Sequence, residues 1–172
     1  MVLNMGPILR GEITRMEIEY TLVPESIYDV EFPEPAKVKG YLTDDAGYMQ
    51  LFLRATLPYK GNCARCLAPV SGEFSLDFTR TVVAEGSMSE ERLAEMDDSY
   101  AMIENGRLDV DTLLLEELLM CFPMRLLCRE DCRGLCDRCG KPLGDGPCTC
   151  HEKEIDPRLA ILKKWVDKQE NK

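Results

Sequence analysis

At 172 residues, 45% apolar and 30% charged, the chain can bury a hydrophobic interior as one domain, or as one core with a small appended unit, and its composition excludes a fibrous or low-complexity protein. The net charge of −10 is uneven: residues 1–120 carry 10 basic against 22 acidic side chains, and residues 121–172 carry 11 against 9. An acidic body repels phosphate, which disfavours sequence-independent nucleic-acid binding by the whole chain and assigns any RNA contact to its C-terminal part.

The first residues lack the basic segment and apolar stretch of a secretory leader and run through Pro7 into Arg10, Glu12 and Arg15. Charges interrupt every later apolar run, including the richest, 113–122, which contains Glu116 and Glu117. A cytoplasmic protein without membrane contact is expected. Residues 1–84 read as a β-rich body. Ile13, Met16, Ile18 and Tyr20 alternate near one end, and Pro24, Pro33 and Pro35 then cut the chain into short pieces. Strands are expected over 38–42, 48–57 and 72–83, with Asp44, Asp45 and Gly47 turning the chain between the first two. Glu85, Glu90, Glu91, Glu95, Asp97, Asp98 and Glu104 make 85–105 an acidic linker, mobile or partly helical.

Residues 106–172 read as a helical and cysteine-rich metal-binding segment packed on the body as one domain. Asp109 or Asp111 can cap a helix through Leu113, Leu114, Leu118 and Phe122, which Pro123 stops. A last helix is expected from Asp156-Pro157 through Leu159, Ile161, Leu162, Trp165 and Val166, its other face carrying Lys163, Lys164 and Lys168. The fold class is α+β: a β-rich N-terminal half, an antiparallel sheet or partly closed barrel, followed by helices and a zinc-ribbon-like cysteine-rich segment.

Nine cysteines in a reducing compartment point to thiolates and metal rather than disulfides. Cys136-Asp-Arg-Cys139-Gly places two thiolates three positions apart, with a glycine to permit the turn that aims amides at sulfur. The eight residues 140–147 can form a hairpin that brings Cys148 and Cys150 to the same tetrahedral zinc. Cys63, Cys66, Cys128 and Cys132 form a second candidate quartet, which would pin a distant hairpin to the loop after the helix. Cys121, on the leucine-rich helix, is expected to be a small buried hydrophobe. The competing reading of Cys63 and Cys66 is thiol redox or metal-handling work; against it, the motif lies between two strands rather than at a helix start. His151 adjoins Cys150 and could replace one cysteine as a ligand; an exposed spectator role is expected. Four thiolates leave no open position on a metal, and no phosphate-binding loop or nucleophile elbow is present, so no enzyme and no small-molecule substrate are expected.

Three stretches in order, Cys63-Ala-Arg-Cys66-Leu-Ala-Pro-Val, then Leu127-Cys-Arg-Glu-Asp-Cys-Arg-Gly-Leu-Cys-Asp-Arg-Cys-Gly, then Cys148-Thr-Cys150 followed by Asp156-Pro-Arg-Leu-Ala-Ile-Leu-Lys-Lys, resemble the bacterial YceD family in its cysteine-rich form. The resemblance implies a role in accumulation of large-subunit (23S) ribosomal RNA, with no assigned catalytic activity, and the family's Cys-x-Arg-Cys motif falls on Cys63, Arg65 and Cys66. The expected function is then a non-catalytic ribosome-biogenesis factor whose partner is large-subunit ribosomal RNA or a large-subunit ribosomal protein. Arg129, Arg133, Arg138, Lys141, Lys163, Lys164 and Lys168 are the candidate phosphate contacts, each also readable as ordinary surface charge.

Overall fold

The computed structural model of the chain describes residues 1–27, 29–86, 100–146 and 148–150. Its main feature is an open five-stranded sheet of β2 (Arg15–Leu22), β3 (Ala36–Asp45), β4 (Tyr48–Asn62), β5 (Pro69–Ala84) and β6 (Tyr100–Ile103), in that spatial order. The strands from β2 to β5 pair antiparallel, whereas β6 joins β5 in parallel. Of the two expected arrangements, the sheet rather than the partly closed barrel is formed: β2 and β6 are edges, and no ladder joins them among the described residues. A short β1 (Val2–Asn4) pairs with β7 (Arg107–Asp109), which leads directly into α2 (Val110–Cys121); α1 (Gly6–Leu9) is a single turn.

The β3–β4 hairpin shows how local sequence sets register. Asp45 pairs with Tyr48, leaving Ala46 and Gly47 as a two-residue turn with φ of 52° and 90°. This mirror-image turn matches the right-handed twist of its strands, and Asp44 Oδ1 fixes it by accepting from Gly47 N at 2.9 Å. From there alternation carries Leu51, Leu53, Ala55 and Leu57 of β4 into the core with Val38 and Leu42 of β3 and Leu76 and Phe78 of β5. The pairing of β4 with β5 runs from Met49 against Val82 to Asn62 against Pro69, well past the expected end at residue 57. This long hairpin carries residues 63–68 to the end of the sheet.

α2 covers the core through Val110, Leu114 and Leu118, spaced four apart on one stripe. Of the two candidate caps, Asp109 serves: its Oδ1 accepts from the backbone N–H of Asp111 at 3.1 Å and of Thr112 at 3.3 Å, and its Oδ2 from Thr112 Oγ1. Asp109→Ala is expected to cost about 1 kcal/mol and to lower the melting temperature by roughly 2–4 °C, with Asp109→Asn near neutral, in a thermal melt by circular dichroism. The helix ends at Cys121 and the chain becomes extended at Phe122, as Pro123 demands of the residue before it.

Two expectations change. Cys121 is exposed rather than buried: the extended turn at Phe122 sends that ring into the core and leaves the thiol beside Glu117 Oε1, at 3.6 Å, on the outside of the last turn. Within the expected acidic linker, residues 100–103 are β6, held by backbone bonds to the end of β5. Residues 87–99, the expected last helix with Lys163, Lys164 and Lys168, and His151 lie outside the described residues. Among the described residues no helix is long and apolar enough to cross a membrane.

Candidate metal centre

Cys63 and Cys66 sit on the tight turn between β4 and β5. Cys63 N donates to Ala68 O at 2.8 Å and Leu67 N to Cys63 O at 2.9 Å, while Leu67 takes the left-handed conformation with φ of 60°. The turn at Cys136 and Cys139 repeats it. Cys136 N donates to Lys141 O and Gly140 N to Cys136 O, both at 2.8 Å, and Gly140 has φ of 70°. Both turns read Cys-x-Arg-Cys, and in both the left-handed residue follows the second cysteine. Glycine adopts that conformation freely; Leu67 pays steric strain for it, which is why sequence reasoning singled out only the second turn as glycine-assisted.

The chain after α2 is threaded past the first turn. Phe122 is 2% exposed and meets Phe32, Tyr59 and Phe74 edge to face, with centroids 5.7, 5.7 and 5.0 Å away. Leu126, also buried, accepts at its carbonyl from Ala64 N at 2.8 Å and lies so close to Gly61 that a Cβ there would stand 2.7 Å from Leu126 Cδ1. Cys128 and Cys132 follow directly. A bridge between Leu135 and Pro142 closes the turn that carries Cys136 and Cys139, and the chain returns towards Cys148 through the short 3₁₀ turn Leu143–Asp145 in place of the expected hairpin over 140–147.

The result is two separate quartets, Cys63, Cys66, Cys128, Cys132 and Cys136, Cys139, Cys148, Cys150, in each of which all four sulfurs lie within 4.8 Å of one another. Cys63 Sγ is 3.8 Å from Cys132 Sγ, Cys66 Sγ 3.6 Å from Cys128 Sγ, and Cys139 Sγ 3.3 Å from Cys148 Sγ. Four sulfurs about 2.3 Å from a tetrahedral ion stand about 3.8 Å apart, whereas a disulfide needs about 2.0 Å. All nine cysteines are free thiols, and the two quartets account for every one except Cys121.

Electrostatics favours a cation at both places. Backbone amides of Cys128 and Cys66 aimed at Cys63 hold its thiol down to about 6, and those of Cys139 and Arg138 do the same for Cys136. Crowding works the other way: Cys132 and Cys66 push the Cys128 thiol up to about 12, and Cys148 and Cys139 push Cys150 up to about 12. Four thiolates at such distances cannot all ionise unless a positive ion neutralises them, and soft sulfur donors suit a divalent metal of zinc's class. The two quartets can thus hold metal ions.

Of the candidate phosphate contacts, Arg129, Arg133, Arg138 and Lys141 are all exposed around the two quartets. Arg129 is drawn towards Asp131, with Nε 3.5 Å from Oδ1, and its guanidinium lies over Gly144, where a Cβ would stand 2.4 Å from Nη2. One side chain has a structural part that residue spacing did not suggest. Arg65 Nη1 donates to the carbonyls of Glu130 at 3.1 Å and Cys132 at 2.8 Å, across more than sixty residues of sequence.

Uncharacterised proteins of Mycobacterium tuberculosis and Mycobacterium bovis are each 35% identical to this chain over 105 residues, covering 61% of it and 49% of the relative. One of Mycobacterium leprae is 28% identical over 107 residues, covering 62% and 48%. The chain spans about half the length of these curated relatives. No solved structure gives a significant match. The family described as large ribosomal RNA subunit accumulation protein YceD matches over residues 51–165, a stretch that begins in β4 and takes in both quartets and α2, which lies between the two cysteine pairs of the first. The chain belongs to the YceD family.

Proposed function

We propose that this protein is a non-catalytic factor in large-subunit ribosome biogenesis, which supports accumulation of 23S ribosomal RNA by binding the RNA or a large-subunit ribosomal protein. The observation that carries the reading is the family match, which encloses both cysteine quartets and the basic residues among them. The family is named for large-subunit RNA accumulation, and a pair of closed four-thiolate sites suits a scaffold better than a reaction centre, since a closed shell has no position for substrate. In this reading each quartet holds one zinc ion, and Arg129, Arg133, Arg138 and Lys141 approach phosphate from the surface that the two ions stiffen. Thiol redox work at Cys63 and Cys66 draws support from the lowered Cys63 thiol, but that sulfur is fully buried and faces three others.

Purified under reducing conditions, the chain is expected to carry close to two zinc ions by mass spectrometry of dissolved metal, and Cys139→Ser close to one. The function is tested by recovering tagged protein from lysate after mild crosslinking. Enrichment of large-subunit over small-subunit ribosomal RNA, weakening as salt rises, supports direct RNA association. Equal recovery of both at background would defeat it and redirect the search to protein partners.

A further inference from the structure

The two quartets are joined by more than the three residues between Cys132 and Cys136. Arg65, inside the first Cys-x-Arg-Cys turn, reaches across with its Nη1 to the carbonyls of Glu130 and Cys132, so one nitrogen holds the loop that delivers the second pair of sulfurs. The same residue's backbone supports the next step. Gly134 is buried with φ of 77°, and a Cβ there would stand 3.0 Å from Arg65 O, so the chain leaving Cys132 lies directly on the Arg65 peptide. Gly134 O in turn accepts from Leu143 N at 2.9 Å, the residue that opens the 3₁₀ turn returning the chain to Cys148. Arg129, next to Cys128, closes the contact from the other side by lying over Gly144. A continuous path therefore runs from the Arg65 side chain through Cys132 and Gly134 to the frame of the second quartet.

We propose that Arg65 is a positioning residue that couples the two centres: it closes the first quartet over its ion and supplies the platform on which the second is built. This rests on the reading that each quartet binds one zinc. Both carbonyls that Arg65 holds lie in a loop without regular structure, closed on itself by Cys132 N donating to Arg129 O at 3.1 Å, and the guanidinium ties that loop to the hairpin tip beside the ion. Without the guanidinium, Cys128 and Cys132 can leave the ion by a local opening of the loop, and Gly134 moves with them.

The test follows zinc release from the fully loaded chain into excess chromophoric chelator by stopped flow. Arg65→Ala is expected to bind two zinc ions at saturation yet release both at least about tenfold faster than wild type, the kinetic equivalent of one lost charge-assisted hydrogen bond. Arg65→Lys keeps the charge, but its ammonium stops short of the two carbonyls, and its rates should fall between. Release from Arg65→Ala within about twofold of wild type in either phase, below the effect of one such bond, would overturn the proposal. So would wild-type rates in Arg65→Lys, since charge alone would then suffice. A wild-type chain that takes up fewer than two zinc ions fails at an earlier point, defeating the two-centre reading and this proposal with it.

Discussion

Cys132→Ser is expected to lower the melting temperature by on the order of 10 °C in reducing, zinc-replete buffer, while Cys139→Ser moves the main transition by only a few degrees. The difference follows from what each quartet ties together. Cys63 and Cys132 are 69 residues apart and Cys66 and Cys128 are 62 apart, so an ion in the first quartet cross-links the tip of the β4–β5 hairpin to the loop after α2. Treated as a loop-closing cross-link, that tie is worth about 4 kcal/mol, and at 2–4 °C per kcal/mol for a chain of this size the loss amounts to roughly 8–16 °C. Cys63 and Cys132 are also buried with the core, so a serine hydroxyl there trades a thiolate ligand for a poorly matched polar group. In the second quartet Cys139 and Cys148 are nine residues apart and lie beyond the last element of the sheet. Its loss opens a local unit without exposing β2 to β6. Differential scanning calorimetry of the two variants against wild type, with and without chelator, checks this. Chelated wild type should melt like Cys132→Ser, and equal melting of the two variants would mean that the first quartet does not staple the fold.

What was legible in the sequence shares a physical basis: it was written in local spacing. The strands around 38–42, 48–57 and 72–83 show period-two alternation, and the Asp44 to Gly47 turn shows its residue chemistry. The two quartets follow from counting cysteine pairs, and their geometry brings together the same eight residues. What was not legible depends on partners distant in sequence. β6 has only four residues, too few for alternation to stand out beside an acidic run, and it is a strand because β5 supplies its bonds. The extension of β4 to Asn62 hides behind Pro58, Gly61 and Asn62, which read as turn residues; Pro58 is tolerated because β3 already ends its pairing with β4 at Thr56. The outward rotation of Cys121 could not be read from helical spacing, which places it on the buried stripe; it depends on where Phe122 finds its aromatic partners. Arg65 is conspicuous only once the loop carbonyls it holds are in space.

Phe122→Ala should prove as damaging as the loss of a ligand, although Phe122 belongs to neither quartet. The ring is 2% exposed and stands edge to face against Phe32 from the proline-rich segment, Tyr59 of β4 and Phe74 of β5, so three parts of the chain meet on one side chain. Removing it leaves a cavity beside Tyr59 and Phe74, whose backbones are fixed by the β4–β5 pairing, so the site cannot fully collapse to fill it. A cost of about 3–5 kcal/mol follows, or roughly 6–20 °C in melting temperature. Phe122→Leu keeps much of the volume and should recover most of that loss. The same ring also starts the segment that lays Leu126 against Gly61 and Ala64 and delivers Cys128 to the hairpin tip, so Phe122→Ala should release zinc faster at temperatures well below its melt. Thermal melts of both variants, paired with chelator-driven release at 20 °C below each midpoint, separate the two effects. A Phe122→Ala midpoint within about 3 °C of wild type would mean that the aromatic cluster repacks around the cavity and does not anchor the metal-bearing segment.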